Sequence, residues 1–264
     1  MQSVSSLLRL LQAATDRHCV RTQVWPALLT LLPVFAVLIE ARGVSPNGIA
    51  LASTVFIGVG GTGMLSLVIE DCGRRRARKL FRRCGGRPGV QMLRHRNTTL
   101  DQETKRRLHA YLAQRLGIQL PTPSEERRNP VAADKIYQRA MVGCECCSPD
   151  RLSFPLLWQH KIAREFLING LAVRWLGFTG ATSVMLWACV GRSSMSIEEQ
   201  PGPELIASLS LHLGSLDVML VSLSMAVTWL FFFTPHRARS AAWSYDELLL
   251  LEHMGSGKFH TAGG

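Results

Sequence analysis

Four long apolar segments, each close to the length of a membrane-spanning helix, constrain this sequence more than any other feature. They cover residues 24–39, 47–69, 167–190 and 205–234. A helix needs about 20 mostly apolar residues to cross a hydrocarbon layer of about 30 Å. Helices at the surface of a soluble domain carry a polar face that repeats with the helical period, and residues 47–69 have no such face. The sequence therefore predicts an all-α, polytopic membrane protein with four transmembrane helices.

The distribution of Lys and Arg predicts how these spans are oriented. Residues 71–166 carry 21 Lys and Arg against nine Asp and Glu, a net charge of +12, whereas residues 191–204 carry one Arg against three Glu. Because Lys and Arg accumulate on the cytoplasmic side, we expect a multi-pass membrane protein with both termini in the cytoplasm. The spans then form two hairpins, a 2+2 arrangement, around a basic helical cytoplasmic insertion. The predicted regions are 1–23, 24–70, 71–166, 167–234 and 235–264.

A dense run of cations follows the second span directly. This basic juxtamembrane stretch consists of Arg74, Arg75, Arg76, Arg78, Lys79, Arg82 and Arg83. Lys and Arg beside a span are attracted to anionic lipid head groups. The same charges could bind a polyanion such as nucleic acid or a nucleotide, or a cytoplasmic protein, and these alternatives stay open. Nucleic-acid surfaces usually add aromatic side chains, and only Phe81 is present, so sequence-specific nucleic acid is not expected as a partner.

The insertion contains three predicted helices. The first covers residues 100–116, where Leu100, Leu108, Tyr111, Leu112 and Leu116 recur at helical spacing, Thr99 and Gln102 form a capping box, and Gly117 ends the helix. The second begins at Pro130 and runs to about Met141. The third begins near Phe154 and continues into the third span. A glycine-rich breaker, residues 85–89, precedes them.

The segment that leads into the first of these helices carries a further cluster of cations. Arg94, His95 and Arg96 stand beside the helix start, where free amides favour an anion; the alternative is an ordinary capped helix end. The run His95-Arg96-Asn97-Thr98-Thr99-Leu100-Asp101 with Thr104-Lys105 resembles a segment of small bacterial multi-span membrane proteins that carry an H-R-[DN]-T-T-[IL]-D-x-x-T-K-like stretch. The resemblance covers about residues 87–125 and implies a bacterial origin but no activity.

Several motifs imitate catalytic or cofactor sites without completing them. Residues 58–63 resemble a glycine-rich nucleotide loop, but they lie in an uncharged apolar run, which favours close helix packing. Residues 255–259 lack the first Gly and the Ser or Thr of a phosphate-binding loop. The thiols of Cys144, Cys146 and Cys147 do not have the spacing of a common zinc site. We therefore predict no metal, no cofactor and no enzymatic activity.

Two formal charges lie inside the predicted spans. Measured from the predicted span ends at 1.5 Å per residue, Arg174 and Asp217 lie at similar depths in antiparallel helices. Charges at such depth usually face the interior of a helix bundle, so the sequence predicts an ion pair between them. Snorkelling of Arg174 toward the cytoplasm is the alternative.

Two hypotheses of function follow from these features. The first is an oligomeric effector or channel-like protein, whose basic insertion senses an anionic ligand or partner and whose spans respond. The second is a membrane-anchored scaffold, whose basic insertion binds a soluble protein or anionic lipid. The first hypothesis requires a homo-oligomer, because four spans with two charged residues enclose little of a pore by themselves.

Overall fold

The computed structural model describes residues 20–41, 48–147, 154–195 and 205–260. Within these ranges every regular element is helical, which confirms the all-α prediction. A π-helical turn, Val20–Val24, precedes the α-helices. In chain order these are α1 (Trp25–Ala41), α2 (Gly48–Arg83), α3 (Pro88–Leu93), α4 (Gln102–Leu116), α5 (Pro123–Arg128), α6 (Pro130–Cys147), α7 (Pro155–Met195), α8 (Leu205–Phe231) and α9 (Pro235–His260).

The chain divides into two compact units. Unit 1 comprises Met1–Arg76 and Glu165–Arg237, and unit 2 comprises Ala77–Arg164 and Ala238–Gly264. Residues 235–264, predicted as a cytoplasmic tail, are instead largely helix α9. Its Leu249 and Leu250 are fully buried in the core of unit 2. The sequence therefore underestimated the contribution of the C-terminal segment to packing.

Unit 1 is held together by small residues that let large aromatic rings approach a helix backbone. Its core contains Ala27, Ile69, Val173, Trp229 and Phe233. A Cβ atom added to Gly170 would overlap the ring of Phe233, and one added to Gly177 would overlap the ring of Trp229. The two rings themselves stack with centroids 4.6 Å apart. Glycines on α7 thus allow its close contact with the end of α8 and with the turn that follows α8.

Close glycine packing was predicted for residues 58–63; the side-chain surroundings of residues 58–61 lie outside the described part of the chain, so only Gly63 of these glycines can be assessed. These residues lie within α2, so the nucleotide-loop alternative, which needs a strand and a loop, is wrong. An added Cβ at Gly63 would meet no atom, so that glycine is not a packing site. Ten residues later, Gly73 lies against Asn169, whose Nδ2 donates to the carbonyl of Thr22 at 2.7 Å.

Helix α7 is long and apolar enough over Pro155–Val190 to cross a membrane. The segments Leu216–Phe231 and Pro235–Glu252 pass the same test only together, and they are bent by 59° at their junction. The described residues therefore contain one or two candidate spans, and the predicted four-span arrangement is not confirmed. Helix α1 has only 17 residues, and the side chains of residues 34–61 lie outside the described part of the chain.

Unit 2 has a core of its own, which the predicted helices of the insertion build. Leu108 and Leu112 of α4 are buried, as the apolar stripe predicts, with Tyr137 and Met141 of α6 in the same cluster. Gly117 ends α4 in the left-handed conformation, with φ of 63°. Helix α6 begins at Pro130 as predicted but continues to Cys147, and α7 runs without a break from Pro155 into the predicted third span.

The predicted cap of α4 is wrong by two residues. Asp101, not Thr99, is the N-cap, and its carboxylate accepts from the amide of Thr104 at 2.8 Å. The amide of Thr99 instead donates to the side chain of Asn97. A carboxylate at the N-cap interacts more favourably with the helix dipole than a hydroxyl does, so Asp101 is the better cap. A true capping box occurs at α5, between Thr122 and Glu125.

Candidate functional site

The basic juxtamembrane stretch lies on α2 and divides into paired and exposed cations. Arg74 pairs with Glu70 at 3.0 Å and Arg75 with Asp71 at 2.7 Å, each one helical turn away. Surface pairs of this kind contribute little stability, and they neutralise those two cations locally. Arg76 is half-buried.

The remaining cations of the stretch are exposed, and three of them share one face. These are Arg78, Lys79, Arg82 and Arg83. Arg82 follows Arg78 by four positions and Lys79 by three, which places it between these two side chains on one side of the helix. None of the four forms an ion pair within the described part of the chain. They are the cations best placed to meet an external anion.

The cluster predicted at the start of α4 does not form an anion site of the kind expected. The guanidinium of Arg94 holds the carboxylate of Asp134 through two bonds of 2.8 and 2.7 Å and donates to the carbonyl of Gly85. The ring of His95 bonds the carbonyl of Pro121 at 2.9 Å. Asp101 occupies the helix end with a negative charge, which repels an anion. Of the three predicted residues only Arg96 is exposed.

Two buried charges instead hold the turn formed by residues 94–97. The ammonium of Lys105 donates to the carbonyls of Arg94, His95 and Asn97. The carboxylate of Glu126 accepts from the amide of His95 and from the hydroxyl of Tyr137, both at 2.8 Å. Burial lowers the pKa of Lys105, although the nearby charge of Glu126 opposes that shift. The turn of residues 94–97 is thus fixed by the charged side chains of Lys105 and Glu126.

A second buried charge network lies elsewhere in unit 2, and no local pattern in the sequence predicts it. Arg87 donates to both oxygens of Asp246, with a shortest distance of 2.6 Å, and to both oxygens of Glu145. Asp246 also accepts from the amide of Gly89 at 2.9 Å. Arg164 lies 3.3 Å from Glu145 and stacks over the ring of Tyr245. The network joins the loop before α3 to helices α6, α7 and α9.

Burial and charge act in opposite directions within this network. Burial alone would lower the pKa of Arg87, but its bonds to Asp246 and Glu145 raise that pKa above its ordinary value. Burial likewise favours a neutral Glu145, yet Arg87 and Arg164 together hold its pKa below the usual range. Two guanidinium groups thus face two carboxylates. Such a balanced cluster suits a structural role better than a catalytic one.

The structure does not bring Arg174 and Asp217 together. The terminal nitrogen Nη2 of Arg174 donates to the carbonyl of Leu230 at 2.9 Å, while Asp217 is exposed. Leu230 lies in the last turn of α8, where carbonyls lack partners within the helix and the dipole favours a cation. The packing of Gly177 on Trp229 places Arg174 at this helix end, about 20 Å along α8 from Asp217. The ion pair was predicted because Arg174 and Asp217 lie at similar estimated depths in the membrane. That estimate did not predict how α7 is aligned along α8.

The cysteines show no metal site in the described residues, where no cluster of His, Cys, Asp and Glu could hold an ion. Cys144 is buried in the core, and burial raises the pKa of its thiol to about 12, with the neighbouring Cys147 adding to the shift. Cys146 and Cys147 are exposed at the end of α6. A buried thiol with a raised pKa is unreactive, so Cys144 serves as a small apolar core residue.

The chain matches no protein-family model, and neither a curated protein nor a solved structure matches it.

Proposed function

We propose that the chain is a non-enzymatic, multi-pass protein of the bacterial cytoplasmic membrane, which acts as a membrane-anchored scaffold. Four transmembrane helices in two hairpins anchor it, both termini are cytoplasmic, and the exposed part of the basic juxtamembrane stretch binds anionic lipid head groups. The segment resembling small bacterial membrane proteins, about residues 87–125, supports the bacterial origin.

The observation that carries the membrane part of the proposal is the exposure of large apolar side chains in unit 1. Only 22% of the apolar part of α7 is buried, whereas the core helix of a soluble protein is mostly buried. The exposed side chains of α7 and α8 include Trp175, Leu186, Trp187, Val190, Leu220, Leu223 and Phe231. A soluble monomer rarely exposes so large an apolar surface to water. Such a surface is stable in contact with the hydrocarbon of a lipid bilayer.

Charge distribution favours the scaffold over the channel-like alternative. A conduction path needs polar groups that face a shared interior, and the predicted pair of Arg174 and Asp217 is not formed. Arg174 instead caps a helix end, which is a structural role. The exposed cations Arg78, Lys79 and Arg82 point to binding at a negatively charged surface.

The lipid part of the proposal can be tested by titrating the full chain, in a non-ionic detergent, with short-chain phosphatidylglycerol. Each cation near an anionic surface contributes about 1 kcal/mol, so replacing Arg78, Arg82 and Arg83 with Gln should weaken binding by about 100-fold. Microscale thermophoresis would measure the Kd.

A matched control removes the same charge from another exposed helix. Replacing Arg106, Arg107 and Arg115 of α4 with Gln should leave the Kd within about twofold of the parent value, since these arginines lie outside the stretch. Equal losses in the two triple variants would show a dependence on net charge alone and contradict a defined lipid surface.

A further inference from the structure

A pocket of about 420 Å³ opens in unit 2 beside the turn of residues 94–97. Its lining residues are His95, Arg96, Pro123, Glu126, Arg127 and Pro130. Pockets that bind small organic molecules are commonly about 300–1,000 Å³ in volume, so this one has room for such a ligand. It shares no residue with the basic juxtamembrane stretch, and a function assigned to it goes beyond lipid binding by that stretch.

Glu126 supplies the pocket with a carboxylate that is only partly bonded. The side chain is 6% exposed, and its oxygen Oε2 accepts both the amide of His95 and the hydroxyl of Tyr137. The other oxygen, Oε1, accepts no hydrogen bond within the described part of the chain. A carboxylate oxygen in a largely enclosed setting gains much from a donor, and a charged donor gives the stronger bond.

Two guanidinium groups add the opposite charge to the same pocket. Arg96 and Arg127 are both exposed. The Nε atom of Arg127 donates to the carbonyl of Pro123 at 3.1 Å, which orients the side chain along α5 and leaves its terminal N–H groups for another partner. Guanidinium groups match phosphate in geometry and charge better than ammonium groups do. The pocket therefore offers an acceptor for a cation and donors for an anion.

We infer that this pocket binds a molecule carrying an alkylammonium group and a phosphate group, with the ammonium on Glu126 and the phosphate on Arg96 and Arg127. The rings of Pro123 and Pro130 provide apolar walls for the carbon atoms of the ligand. The volume exceeds that of an aminoalkyl phosphate alone. A free aminoalkyl phosphate and the head group of an aminophospholipid share this chemistry.

Calorimetric titration of the full chain in a non-ionic detergent tests the inference with three probes. O-phosphoethanolamine carries both groups, ethyl phosphate lacks the ammonium, and ethanolamine lacks the phosphate. We expect saturable binding of O-phosphoethanolamine and at least tenfold weaker binding of each partial probe, because each loses a charge-assisted bond. Equal binding of ethyl phosphate would show a plain anion site and overturn the inference, as would the absence of saturable binding.

Variants then locate the site. Arg96→Ala and Arg127→Ala should each weaken O-phosphoethanolamine binding about tenfold. Arg128→Ala removes another exposed cation of α5, which lies outside the pocket, and should not weaken binding. Glu126→Gln should abolish the preference for O-phosphoethanolamine over ethyl phosphate. A loss of binding in Arg128→Ala equal to that in Arg127→Ala would contradict the site.

Two short-chain lipids distinguish the sources of the ligand. If phosphatidylethanolamine binds more tightly than O-phosphoethanolamine, the natural ligand is a lipid head group. If O-phosphoethanolamine binds more tightly, the natural ligand is a soluble metabolite. Phosphatidylcholine cannot donate a hydrogen bond from its ammonium group, so it should bind at least tenfold more weakly than phosphatidylethanolamine. Equal binding of these two lipids would overturn the role of Glu126. The triple variant of Arg78, Arg82 and Arg83 should bind O-phosphoethanolamine as the parent does. The pocket can therefore be tested separately from lipid binding by the basic juxtamembrane stretch.

Discussion

Replacing Asp246 with Ala is expected to destabilise the protein by about 3–5 kcal/mol, because it leaves a buried guanidinium without its main partner. The Asp246 side chain is 1% exposed and bonds both Arg87 and the amide of Gly89. Removing one member of a buried ion pair costs far more than the pair contributes, since the remaining charge stays desolvated. Thermal unfolding in detergent, followed by tryptophan fluorescence, should show a Tm lowered by several degrees.

Glu103→Ala is the matched control for Asp246→Ala. Glu103 also pairs with an arginine, Arg107 at 2.8 Å, but both side chains are more than 60% exposed. Exposed pairs of this kind contribute little, so the Tm should hardly change. Similar Tm values for Asp246→Ala and Glu103→Ala would contradict the buried network.

Replacing Gly177 with Ala is expected to disrupt the packing of α7 on α8. The added methyl group would overlap the indole ring of Trp229, which is fully buried. Overpacking of this kind typically costs about 1–3 kcal/mol, and the contact is with a rigid ring rather than a flexible side chain. A lower yield of monodisperse protein in size-exclusion chromatography and a lower Tm would report the loss.

Gly180 provides a control on the same helix. An added Cβ there would meet no atom within 4 Å. Alanine is favoured over glycine in a helix by about 1 kcal/mol, so Gly180→Ala should leave the Tm unchanged or raise it. If Gly177→Ala were as stable as Gly180→Ala, the described contact between α7 and Trp229 would be wrong.

Local sequence signals predicted most helix positions correctly. Three local features are confirmed: the apolar stripe of Leu108 and Leu112, the end of α4 at Gly117 and the start of α6 at Pro130. Each depends on residues within one or two helical turns of each other. The continuous helix from Pro155 into the apolar segment was also predicted. Apolar periodicity and the glycine and proline signals at helix ends act locally, so a single sequence carries this information.

Contacts between residues far apart in the chain could not be predicted from the sequence. Arg87 lies in a predicted flexible breaker and Asp246 in a predicted tail, yet the two form a buried ion pair. The partner of Arg174 was predicted from depth alone, whereas the register of α7 on α8 depends on which glycines face Trp229 and Phe233. Side-chain packing determines which distant residues come into contact, and the charge pattern of the sequence does not show this.

The topology of the chain in a bacterial inner membrane can be measured with fluorescent-protein and alkaline-phosphatase fusions after residues 44, 119, 200 and 264. Four spans with cytoplasmic termini predict fluorescence at 119 and 264 and phosphatase activity at 44 and 200. Phosphatase activity at residue 119, or a chain that stays dissolved without detergent, would contradict a membrane protein whose basic insertion lies in the cytoplasm.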